Sequence, residues 1–222
     1  EGGSATPDLI DVDPVFAAQA KAGKLLQPYK VSTWNDIPAA AKDPAGFWYG
    51  GYYGVLTFET NTERVATPPK DWADLLDASH VGQVALAGDP RVTTQAVESV
   101  YAAALANGGS LDNAQPGLDF FKALKAHGNL LATIASPTAI DAGTTPITIR
   151  WSYNSLAHRD TTNGTPQIDV EVPATGRLGG IYAQAIAANA AHPNAAKLWL
   201  EFLYSDEGQN ILLKRGYARL SL

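Results

Sequence analysis

Along residues 145–160, TPITIRWSYNSLAHRD, the apolar spacing changes partway. Ile147 and Ile149 alternate with Thr148 and Arg150, the period of a strand with one apolar side, and Ser152 can cap a helix that follows. The same two rhythms read along the rest of the chain. PDLIDV (7–12) is a buried strand, followed by a helix from Pro14 that stops at Gly23. FWYGGYYGVLTFETN (47–61) reads as two strands broken by glycines, and PPKDWADLL (68–76) as a short, proline-led helix. GQVALAGDP (82–90) is a strand. Residues 92–109 form a helix ended by glycine, with Val97, Val100, Tyr101 and Ala104 at helical spacing. A second helix covers 117–129, LLATIA (130–135) is a strand, and 136–143 is a helix capped by Ser136 with Pro137 at its first position. Strands follow at 167–173 and 179–188, then a helical hairpin over 192–216 that turns at Ser205–Asp206.

Strands alternate with helices nearly throughout, which predicts an α/β fold with mainly parallel sheets. In such sheets ligands lie outside the carboxyl ends of strands, at helix N-termini. That rule selects Asp13 after the first strand, Arg91 and Thr93 after the 82–88 strand, and Arg150, Trp151 and Tyr153 after the 146–151 strand; Thr94 joins them as part of the helix's first turn.

Composition narrows the function. The 222 residues suffice for one large domain or two small lobes, and 45% apolar with 17% charged residues is a globular balance. A net charge of −6 and a pI near 5.1 argue against nucleic acid or an anionic membrane as partner. No apolar run approaches the roughly 18 residues of a spanning helix. Cysteine is absent, so there is neither a disulfide framework nor a thiolate metal site. His80, His127, His158 and His192 sit at element ends without zinc spacing. HRD at 158–160 lacks the kinase asparagine, since position 165 is Thr, and no nucleophile elbow or Ser–His–Asp pattern occurs. An enzyme is therefore not expected, and neither is a cofactor.

Each candidate has a functional and a structural reading. Arg150 is a bidentate clamp for an anionic group with Trp151 as an apolar wall, or it pairs with Asp141 or Asp169 while Trp151 fills the core. Thr93 and Thr94 hold a phosphate-like oxygen at a helix N-terminus, or cap it. Asp13 contacts a ligand or caps the helix from Pro14. Tyr49, Tyr52, Tyr53 and Tyr182 line a small-molecule site, or are core and cross-strand pairs. Asp11, inside its strand, reads as structural.

Four segments in order, PDLIDVDPVFAAQAKAGKL, YYGVLTFETNTERVATPPKDWADLL, GQVALAGDP and HPNAAKLWLEFLYSDEGQ, resemble the substrate-binding proteins of bacterial ABC importers, in the group with iron, polyamine and phosphonate or sugar-phosphate binders. The resemblance implies two α/β lobes joined by a hinge, lobe one at 1–57 and 171–222 and lobe two at 58–170. It implies capture of a small solute in the cleft between lobes for delivery to an ABC permease, by a monomer in the periplasm or outside the cell, either free or held by a lipid anchor. Members usually begin with a strand–helix–strand–helix stretch before the PDLIDV segment, so lobe one is expected to be incomplete at its N-terminus. In iron-binding members two adjacent tyrosines ligate the metal where this chain has Arg150 and Trp151, and a guanidinium cannot ligate a metal. The resemblance thus favours an anionic solute such as a phosphonate, organophosphate or carboxylate, held by Arg150 and the turn at 91–94, with no metal. A polyamine or other cation is the alternative within the family.

Overall fold

The computed structural model describes residues 7–219. In chain order its elements are β1 (Leu9–Val12), α1 (Pro14–Ala22), β2 (Leu26–Gln27), β3 (Tyr49–Asn61), β4 (Val84–Leu86), α2 (Thr94–Ala106), α3 (Gln115–Ala126), α4 (Pro137–Asp141), β5 (Ile147–Trp151), α5 (Ser152–Thr162), β6 (Ile168–Glu171), β7 (Gly179–Ala187), α6 (Pro193–Leu203), α7 (Asp206–Lys214) and β8 (Ala218–Arg219). The class is α/β. The chain divides into two compact units, one made of residues up to Tyr53 and from Gly180 onward, the other of Gly54–Gly179. The crossings fall at 53/54 and 179/180, where the sequence places them at 57/58 and 170/171. The difference has a physical reason. β6 pairs with residues 58–61 of β3, and the N–H of Leu56 donates to the carbonyl of Leu178 at 3.0 Å, so the chain stays with the second unit until Gly179.

In the first unit, β1 runs antiparallel to β7, from Leu9 opposite Ile186 to Val12 opposite Ala183. β2 also pairs with β7, and β8 pairs with the start of β3. The core gathers Val31, Ile37, Tyr49, Ile186, Leu200 and Tyr204. The Tyr204 hydroxyl donates to the Tyr49 carbonyl at 2.8 Å, which satisfies a buried polar group. Helix ends follow the local signals. Asp13 caps α1 through the N–H of Phe16 at 2.8 Å, and Ser205 caps α7 through the N–H of Gly208.

In the second unit, β5 lies antiparallel to β3, from Leu56 opposite Trp151 to Thr60 opposite Ile147, and parallel to β4. The core holds Phe58, Trp72, Phe120, Leu124, Ile147 and Ile149, with Trp72 meeting Phe58 and Phe120 edge-on. α2 and α3 pack closely at Gly117.

Four expectations change. Among the described register pairings β4–β5 is parallel and the others are antiparallel, because β3 in its pairings with β5, β6 and β8, and β7 in its pairings with β1 and β2, run opposite to the strands beside them. Residues 49–61 form one strand of 13 residues. Its glycines do not break it; they admit neighbours, since a Cβ on Gly54 would lie 2.6 Å from the Tyr153 ring. Residues 130–135 are not a strand: Leu130 forms a single bridge with Val84, and the N–H groups of Leu131 and Ala135 donate to the carbonyls of Val84 and Leu86, with a bend between. The helix near 68–76 is a 3-10 turn at Trp72–Leu76, capped reciprocally by Asp71 and Asp74 rather than led by the prolines.

Candidate functional site

The carboxyl ends of β4 and β5 lie side by side in the second unit, as their parallel register requires. Gln95, in the first turn of α2, ties them together. Its amide donates to the Ala87 carbonyl at 2.8 Å and accepts from the Trp151 N–H at 2.6 Å. Residue-by-residue reading of the sequence passed over Gln95; its place one position beyond Thr94, on the inward side of a helix start, is the signal that it carried.

After β4 the chain turns at Gly88, whose φ of +148° suits glycine, and a Cβ there would sit 2.6 Å from the Thr93 side chain. Thr93 is the extended N-cap residue of α2 and makes no side-chain cap bond. Thr94 opens the helix. Arg91 stands beside this turn with its side chain 86% exposed. Its Nε and Nη2 donate to the Asp89 carboxylate at 2.6–3.1 Å, and those bonds hold the Asp89 pKa down to about 2. A pocket of about 260 Å³ opens next to the turn, walled by Leu86, Gly88–Pro90 and residues 130–134.

Arg150 points elsewhere. It lies on β5 opposite Thr57, and its Nη1 donates to Glu59 of β3 at 3.2 Å. Its partner is thus neither Asp141 nor Asp169. Glu59 is fully buried and also bonds His158 Nδ1 of α5 at 2.5 Å. His158 Nε2 is 3.1 Å from Asp141 Oδ1, an ion-pair distance without hydrogen-bond alignment. Arg150 and Arg91 therefore have separate carboxylates, and the described contacts do not bring them to one point. Trp151 and Tyr153 are buried and stacked on one another, with ring centroids 6.4 Å apart. Trp151, not Ser152, is the N-cap residue of α5, and the Ser152 hydroxyl accepts from the N–H of Val55 at 3.2 Å.

In the first unit, Asp13 is the helix cap already described. Tyr49 is 1% exposed and packs on Trp34 and Tyr204. Tyr53 is half-buried opposite Ala218. Tyr52 and Tyr182 meet face to face, and Tyr52 donates to Asp11. Asp11, read from the sequence as structural, keeps an exposed surface. Among the described residues no group of three or more His, Cys, Asp or Glu is placed to hold a metal ion, and no helix is long and apolar enough to cross a membrane.

The family model described as bacterial extracellular solute-binding protein matches residues 4–220. An uncharacterized protein of Haemophilus influenzae is 30% identical over 215 residues, covering 90% of this chain; the chain spans 59% of that relative's length. Among solved structures, the periplasmic binding protein AfuA from Actinobacillus pleuropneumoniae, with exogenous fructose-6-phosphate bound, matches with a TM-score of 0.79 and 25% identity over 97% of this chain and 70% of that one. Iron-bound HitA from Pseudomonas aeruginosa shares the fold with a TM-score of 0.73 and 19% identity over 96% of this chain and 70% of its own.

Proposed function

The chain belongs to the family of bacterial extracellular solute-binding proteins, and on that premise we propose that it captures a small anionic solute, a phosphonate, organophosphate or carboxylate, and passes it unchanged to an ABC permease, in the periplasm or outside the cell. The observation that carries the anionic class is the start of α2. A helix N-terminus presents backbone N–H groups and a partial positive charge, and here the exposed guanidinium of Arg91 stands beside it. Asp89 orients that guanidinium through Nε and Nη2, and its remaining N–H groups face solvent. Thr93 and Thr94 supply hydroxyls at the same turn. AfuA, which carries a sugar phosphate in its solved structure, supports an anionic group of this kind. Arg150 has a different part in this reading: its charge is balanced by Glu59, so it fixes the end of β5 from beneath.

Calorimetric titration with fructose 6-phosphate, inorganic phosphate and fructose tests the anionic class. The two phosphate-bearing compounds should bind and fructose should not. The Arg91 guanidinium is exposed and screened by solvent, so Arg91→Ala should weaken binding severalfold. Failure of phosphates, phosphonates and carboxylates alike to bind, or full affinity in folded Arg91→Ala, overturns the reading.

A further inference from the structure

The pocket beside the α2 turn has its own chemistry, and it differs from that of the turn. Residues 130–135 run along β4 but are fastened to it at two places: the N–H of Leu131 donates to the Val84 carbonyl at 2.7 Å, and the N–H of Ala135 to the Leu86 carbonyl at 3.0 Å. Four steps of chain separate the donors and two separate the acceptors, so the stretch between bends away from the strand at Ala132 and Thr133. This bend and the Gly88–Pro90 turn wall the pocket of about 260 Å³. That volume lies below the roughly 300–1,000 Å³ of sites for drug-sized ligands, so it suits a small group. Leu86, Pro90, Leu130, Leu131 and Ile134 make the lining mainly apolar. Ile134 is 55% exposed, apolar surface that a ligand would gain by covering. Of the described residues that line the pocket, Asp89 alone is charged, and its carboxylate is paired with Arg91 at 2.6 Å. A carboxylate in the wall repels a second anion inside the pocket. An anionic head therefore stays at the start of α2 beside Arg91, and the pocket is left for an uncharged part of the solute.

Given the anion reading, on which this inference rests, we propose that the pocket holds a short alkyl or aryl group. The solute is then a small organic anion with an apolar body, an alkyl- or arylphosphonate or the matching carboxylate, rather than a sugar phosphate. A sugar carries several hydroxyl groups, and each needs a hydrogen-bond partner once it leaves water. Among the described lining residues Thr133 alone has a hydroxyl to offer. A sugar phosphate is therefore held through its head, without help from the pocket. An alkyl chain needs no partner, and each methylene removed from water contributes up to about fourfold in affinity.

The test is calorimetric titration of the full chain with inorganic phosphate and with methyl-, propyl- and butylphosphonate. Affinity should rise about tenfold or more from methyl- to butylphosphonate. Ile134→Asn, which makes the wall polar, and Ala132→Phe, which adds bulk to it, alter exposed positions, so both variants should fold. Each should weaken butylphosphonate severalfold and leave methylphosphonate near wild type. Binding of phosphate and methylphosphonate with no gain along the series overturns the pocket assignment and leaves the anion site standing. So does wild-type affinity for butylphosphonate in both folded variants. Failure of all four compounds to bind the folded protein overturns the anion reading, and this inference with it.

Discussion

Glu59 is the residue on which the second unit's charge balance turns. A fully buried carboxylate is tolerated only when paired, and Glu59 meets Arg150 on one side and His158 on the other. Removing it leaves a guanidinium that is only 12% exposed without its counter-charge. Breaking a buried pair in this way costs about 3–5 kcal/mol, so Glu59→Ala should lower the urea-denaturation free energy by an amount in that range. Replacing both partners, Glu59→Leu with Arg150→Met, should recover most of the loss, because neither charge is then stranded. A loss below about 1 kcal/mol in Glu59→Ala would show that the pair is structurally idle.

At the scale of elements, the contact between α2 and α3 depends on the absence of a side chain at Gly117. Alanine there would gain up to about 1 kcal/mol of helix propensity. Its Cβ, however, would fall 2.0 Å from the Val100 carbonyl oxygen and 2.8 Å from the Ala104 nitrogen. Backbone cannot swing aside as a side-chain tip can, so α3 would have to move off α2. Overpacking of that kind costs about 1–3 kcal/mol and should outweigh the propensity gain. Gly117→Ala is therefore expected to lower the urea midpoint, and a raised midpoint would refute the close-packing account. The helices themselves were legible in the sequence because their signals are local: Asp13 before α1 and Ser136 before α4 accept the cap bonds read from the sequence, and α7 starts at the expected turn, capped by Ser205. Strands were less legible. Residues 130–135 have a strand's composition, yet their N–H groups reach β4 at only two places.

For the molecule as a whole, the chain's path through the two units sets what can fold alone. Gly54–Gly179 is one uninterrupted stretch of ordinary domain size with its own sheet and core. A protein of residues 54–179 is thus expected to give an α/β circular-dichroism spectrum and a cooperative thermal transition. Residues 7–53 alone should not, since β1 and β2 pair with β7, which lies beyond the other unit in sequence. A coil spectrum for 54–179 would mean that the second unit draws essential stability from outside itself.

The amino-acid sequence by itself determined the α/β class, the family, the places of most helices and the turns where binding residues were to be sought. Periodicity, capping residues and glycine stops act over a few positions, and a single chain displays them directly. The tertiary structure alone decided partnership. Arg150 has Asp141 and Asp169 nearer along the chain, yet it pairs with Glu59 because β3 lies beside β5 with Thr57 opposite Arg150. Asp11 reads as an ordinary strand residue until β3 brings the Tyr52 hydroxyl to it. Strand order and register join residues far apart in sequence, and no local pattern around either residue encodes its neighbour.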